Sequence, residues 1–153
     1  MGYSRLIAAF FGLAAMLCAA DSFVGVWKLN LAKSEYKVGA APKEQIVTMT
    51  EEDGNLRVRV NAVTAEGKKT VVDYTVPLEG GTGKMNPSPA YDGITGTHIG
   101  PNEREISRLK DGKPVFTARS TVAPDGKTMI GHSKGISPLG QPVENTLFYE
   151  KIK

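Results

Sequence analysis

The sequence predicts an all-β protein, a single antiparallel up-and-down β-barrel of about eight or nine strands. Three observations carry this expectation. Glycine-containing turn signals recur along the chain, the segments between them alternate apolar and polar residues with a period of two, and no long amphipathic helix follows residue 20. Consecutive hairpins without an obvious long crossover favour a barrel over a sandwich, which usually needs Greek-key connections. Closure would also remove the edge strands that invite aggregation.

Residues 1–20 read as a secretory signal. Arg5 supplies the positive n-region, Leu6 to Leu17 is an uninterrupted apolar run, and Cys18, Ala19 and Ala20 end it in small residues, which places the cut after Ala20. The apolar run is shorter than the roughly 20 residues a spanning helix needs, so stable membrane insertion after cleavage is not expected. A lipid anchor on Cys18 would want small residues before it, where Met16 and Leu17 stand, and myristoylation of Gly2 would want Ser or Thr in place of Leu6. The expectation is a secreted or periplasmic domain of residues 21–153.

Such a domain is long enough to bury a sizeable core. Hydrophobic residues are 41% and charged residues 23%, ordinary globular usage that argues against disorder and coiled coils. Cleavage after Ala20 removes the only cysteine, so no disulfide is available and stability must come from burial and strand pairing. Loss of Arg5 lowers the net charge from +3 by one. With no basic run, this excess does not call for nucleic acid or anionic lipid as a partner.

In chain order, Phe23, Gly25, Trp27 and Leu29 share one face of a first strand, and Ser34 to Lys43, which contains Gly39 and Pro42, reads as a loop with at most one helical turn. Turn signals follow at Glu52–Asn55, Ala65–Lys68, Lys110–Lys113, Pro124–Lys127 and Leu139–Pro142; their Asp-Gly and Glu-Gly centres supply the positive φ that tight hairpins require. Between them Leu56, Val58, Val60 and Ala62 oppose Arg57, Arg59 and Asn61. Val72, Tyr74 and Val76 form another set, Phe116, Ala118, Ser120 and Val122 oppose Thr117, Arg119 and Thr121, and Val143, Leu147 and Tyr149 line the last strand. Pro77 to Tyr91, with three glycines and three prolines, is expected to form a flap at one barrel end. The lack of helices argues against βαβ architecture and its nucleotide-binding crevices.

At its two ends this domain resembles a known group. Phe23, Gly25, Trp27, Lys28 and Leu29 resemble the first strand of the calycins, the lipocalins and intracellular fatty-acid-binding proteins, and Tyr149, Glu150 and Lys151 resemble the closing strand of the latter. Secreted bacterial lipocalin-like domains, which begin Gly-x-Trp-Lys-Leu-Asn and run on to a Lys-Ser pair like Lys33 and Ser34, are similar in overall look. The resemblance implies that Trp27 packs across a closed barrel end, often under a basic side chain. Burial of so large a ring still leaves an indole N–H in need of an acceptor, and Gly25 allows a close approach of backbone or ring. Both are expected to be structural. The chain departs from the fatty-acid-binding pattern where an Arg holds the lipid carboxylate, because Leu147 stands there, and Asn30 to Gln45 is too short and too rich in Gly and Pro for a helical lid.

Catalytic and metal chemistry find little support. His98 and His132 are the only histidines and show no ligand spacing, so no metal or cofactor is expected. No Gly-x-Ser-x-Gly elbow exists, and carboxylate pairs such as Glu66 or Asp73 with Asp92 are what any acidic surface offers. The run Gly80 to Lys84 is followed by Met85 where a phosphate loop needs Ser or Thr, and reads as a turn. Arg108 is ambiguous. If Ile106 points inward, Arg108 does too and needs a carboxylate or a ligand anion; if Leu109 points inward, Arg108 faces solvent.

The expected function is binding of a small, mainly hydrophobic molecule through Tyr74, Phe116, Met129 and Tyr149, with Arg108 available to an anionic end. The alternatives are a barrel filled by side chains, as small barrels often are, acting as an interaction or inhibitor module through Pro77 to Tyr91, and, third, an isomerase or hydrolase using His98 with Asp73 or Asp92.

Overall fold

Period-two alternation puts one face of each strand toward a common interior, and right-handed twist with antiparallel pairing curls the ribbon around it. The computed structural model describes residues 20–153. The proposed signal, its cleavage region up to residue 19 and Cys18 lie outside the described residues. The strands are β1 (Gly25–Leu29), β2 (Glu35–Val38), β3 (Glu44–Glu52), β4 (Asn55–Val63), β5 (Lys69–Pro77), β6 (Gly81–Thr82), β7 (Lys84–Met85), β8 (Gly93–Gly100), β9 (Glu103–Lys110), β10 (Lys113–Val122), β11 (Thr128–Ile136) and β12 (Pro142–Lys151).

The sheet runs β6-β8-β9-β10-β11-β12-β1-β3-β4-β5-β7, with β2 added beside β12. Every pairing is antiparallel, and the result is a nearly closed barrel. Eleven strands lie on this path, not the expected eight or nine. The excess comes from β6 and β7, pieces too short for alternation to reveal. The expected loop Ser34–Lys43 likewise contains β2, whose Tyr36 and Val38 pair with Asn145 and Glu144, and a 3₁₀ turn at Leu31–Lys33 precedes it.

Pro77 to Tyr91 does not form a flap at one barrel end; part of it is built into the wall. β7 pairs with β5 through Tyr74 and Thr75, β6 pairs with β8 through Thr95 and Gly96, and Gly83 N–H donates to Ile94 O. This segment closes the seam between β5 and β8. Gly83 fits there because a Cβ would collide with the Thr75 carbonyl oxygen.

All five expected turns are present between consecutive strands, and Asp53, Gly54, Asp111 and Gly112 carry the positive φ of tight hairpins. The strand at Leu56–Ala62 meets β3 and β5 in full register, so Leu56 and Val58 are buried while Arg57 and Arg59 are outside.

One end of the barrel is shut by the segment before β1. Asp21 reaches Arg104 on β9, Ser22 Oγ donates to Pro101 O, and Phe23 is buried beneath. Trp27 is wholly buried there; its Nε1 donates to Phe23 O at 2.8 Å, and Lys151 Nζ lies 4.7 Å from its ring centre. Lys151 in turn donates to Val24 O at 2.8 Å. Gly25 adopts φ +143°, and the Lys153 carbonyl oxygen sits 2.6 Å from where its Cβ would be. The close approach is thus made by backbone.

Candidate functional site

Inside the barrel is a cavity of about 280 Å³, at the small end for ligand sites. Its walls come from inward positions on successive strands: Val47 and Met49 on β3, Leu56 and Val58 on β4, Val72 and Tyr74 on β5, and Leu147 and Tyr149 on β12. Around its rim stand Gly39, Ala40, Pro42, Ala65, Glu66 and Leu139, from three loops, and Pro142 at the start of β12, at the end opposite Phe23 and Trp27. The residues singled out from the sequence, Tyr74, Arg108, Phe116, Met129 and Tyr149, all line it and are all buried. Trp27 does not line it.

The ambiguity at Arg108 resolves inward. β9 presents Arg104, Ile106 and Arg108 to the cavity, while Leu109 packs against Gly93 at a distance that would be 3.5 Å to an added Cβ. Gly93 is the partner of Leu109 across the β8–β9 pair, so an outward leucine has a place to lie.

The two buried arginines of β9 are then treated differently. Arg104 Nη2 meets Asp21 Oδ2 at 2.6 Å, and its Nη1 donates to Leu78 O at 2.6 Å. Its charge is matched by a carboxylate that is itself largely covered. Arg108, only 7% exposed, pairs with no carboxylate among the described residues, and its Nε, like that of Arg104, has no hydrogen-bond partner. Three aromatic rings surround it instead: Cζ is 4.5 Å from the centre of Phe116, 5.1 Å from Tyr91 and 5.9 Å from Tyr74. Ring faces are electronegative and offset part of the desolvation of a guanidinium, yet a buried charge without a counter-ion is still costly.

The phenols of this cluster are neutral at physiological pH. Burial pushes Tyr74 and Tyr91 above the ordinary tyrosine value, with the Arg108 guanidinium opposing the shift in part. Burial pushes Tyr149 up strongly, against the opposing effect of the hydrogen bond that Gln45 Nε2 donates to its hydroxyl. Chemically the cavity therefore offers a largely apolar body, neutral hydroxyls and amides, and at Arg108 a buried positive charge without a carboxylate partner; Arg104, Glu66 and Glu105 complete the charged part of its lining.

Tyr91 is the member that the sequence did not single out. It lies in a stretch of Gly, Pro and Ser without periodicity, yet is 1% exposed, with its hydroxyl donating to Ile136 O and its ring tilted against Phe116. A lone aromatic in an otherwise polar loop is the one signal that could have marked it.

The residues weighed for catalysis are held by separate partners. His98 faces exposed Glu79 at 3.8 Å, Asp73 accepts two hydrogen bonds from Arg57 outside the barrel, and Asp92 Oδ2 accepts from Asp111 N–H. His132 Nδ1 lies 3.1 Å from Thr146 Oγ1. Among the described residues no group of His, Cys, Asp and Glu is arranged to hold a metal ion, and no helix is long and apolar enough to cross a membrane.

No protein-family model matches this chain, and no curated protein matches it. Among solved structures it is similar to a Nostoc punctiforme protein of unknown function from the DUF3598 family, with a TM-score of 0.53 at 11% identity. The likeness covers 86% of this chain and 48% of that one, so the chain spans about half the length of that structure. What the two share at this identity is the fold, an antiparallel β-barrel.

Proposed function

We propose that this protein is an exported, lipocalin-like member of the calycin group that binds a small, mainly hydrophobic molecule noncovalently inside its barrel. The observation that carries the reading is the internal cavity, whose lining places Tyr74, Phe116, Met129 and Tyr149 around one space. Burial of apolar ligand surface supplies the driving force, about 25 cal/mol for each Å² removed from water. The rim at the end away from Trp27, where small and apolar residues stand with Thr64, Glu66 and Gln141, gives the ligand its way in. Export rests on the signal read in residues 1–20, and N-terminal sequencing of protein recovered from the cell envelope or medium tests it, with Asp21 expected as the first residue.

Binding is tested with Nile red, an uncharged solvatochromic dye, and by native mass spectrometry of gently purified protein. A saturable blue shift of the dye, abolished when Ala62→Trp narrows the cavity, is the expected result. Absence of any co-purified small molecule together with no dye binding would overturn the proposal.

A further inference from the structure

We infer that the ligand is a monoanion with an apolar body, and that Arg108 holds its carboxylate within the cage of Phe116, Tyr91 and Tyr74. The inference rests on the cavity being a binding site, and deepens that reading by naming the chemical class of the ligand. It starts from the contrast within β9. Arg104 and Arg108 lie four residues apart on the same inward face, both buried and both lining the cavity. Arg104 is neutralised by Asp21, whereas the charge of Arg108 has no carboxylate from the described residues. Both arginines leave Nε unmet, so the contrast lies in the missing carboxylate, and in a water-poor interior a charged group favours a counter-charge supplied from outside the chain.

The geometry narrows the class. A planar guanidinium matches a carboxylate through two parallel hydrogen bonds, and such charge-assisted pairs are the strong ones. The three rings cover the guanidinium and bring no full negative charge, so the counter-charge is left to the ligand. A phosphate dianion would bring a second negative charge. The other guanidinium of the lining is already committed to Asp21 and Leu78, so that charge would be desolvated without a partner. The neutral phenol of Tyr74 adds a donor beside the anion, whereas the Tyr91 hydroxyl is committed to Ile136 O. The aliphatic remainder then lies against Val47, Val58, Val72 and Leu147 of the cavity lining.

The test is displacement of Nile red from the full chain by decanoate, 1-decanol and decyl phosphate, matched in chain length. Decanoate is expected to displace the dye at about one tenth of the concentration decanol needs, the scale of a hydrogen-bonded charge pair, and to outdo decyl phosphate. In Arg108→Met that preference for the acid disappears while decanol still binds; Arg108→Lys retains part of it. Equal displacement by decanoate and decanol in the unaltered protein would overturn the inference and leave the binding reading standing. Displacement by decyl phosphate as strong as by decanoate would overturn the monoanion class. Failure of all three compounds, with no dye binding at all, would instead sink the proposal of a binding cavity. The comparison in the unaltered protein decides the matter even if Arg108→Met fails to fold.

Discussion

The Asp21 carboxylate and the Arg104 guanidinium meet 2.6 Å apart inside the shut end of the barrel, although 83 positions separate them in the chain. The pair ties the segment before β1 to the opposite wall, alongside the Ser22 bond to Pro101 O and the burial of Phe23. Asp21→Ala leaves Arg104 buried with its Leu78 contact alone, and unfolding in urea should show a loss of about 3 kcal/mol, the lower end for breaking a buried pair. Replacing both residues together, Asp21→Ala with Arg104→Met, should recover part of that loss, because no orphan charge remains. A double variant as unstable as the single one would show that packing rather than charge dominates there.

Gly83 fills the seam between β5 and β8 because nothing larger than hydrogen fits against the Thr75 carbonyl. Gly83→Ala should cost about 1–3 kcal/mol through overpacking. Hydrogen exchange should rise first at Gly83 and its neighbours in β6 and β7, whose pairings with β8 and β5 are the shortest in the barrel. Uniform acceleration over all strands would show that the seam is no weaker than the rest.

Trp27 is fully buried, hydrogen-bonded to Phe23 O and absent from the cavity wall. Its fluorescence should therefore be blue-shifted and should stay in place when decanoate fills the cavity. Unfolding should move it to the red. A ligand-dependent shift of this emission would mean that the closed end rearranges on binding.

The buried phenols set an alkaline limit. In Tyr74, Tyr91 and Tyr149 the folded state holds the proton more tightly than the unfolded chain, whose tyrosines titrate near 10. Below that pH both states keep the proton and stability is unaffected. As pH rises past about 10, unfolded chains release protons that folded ones retain, and stability falls. Chemical denaturation at successive pH values should show this decline, and Tyr149→Phe should flatten it. An unchanged slope in that variant would assign the decline to other groups.

Much of the wall was legible because alternation in β4, β10 and β12 is a local property: Leu56 to Ala62, Phe116 to Val122 and Val143 to Tyr149 each state their own inward face. The direction of Arg108 was not, since Ile106 and Leu109 lie on opposite faces of β9 and each could have claimed the core. Gly93, on another strand, settles it by leaving room for Leu109 outside. β6 and β7 escaped because two residues cannot display a period, and Tyr91 because its burial depends on Phe116 and Ile136, contacts made only after the barrel forms. The carboxylate for Arg104 likewise came from Asp21, far along the chain.

The position of β12, paired with β11, β1 and β2, has a consequence for the order of assembly. β1 has no neighbour on that side until a strand some 120 positions later arrives, as the bond between Asn30 and Glu150 illustrates. Such distant pairing is entropically slow to find, and the chain emerging from a ribosome or a translocation pore carries an unclosed curl of sheet throughout. Its apolar lumen surface is open to other molecules for that whole interval, which makes prompt arrival of Val143 to Tyr149 the step that separates folding from aggregation.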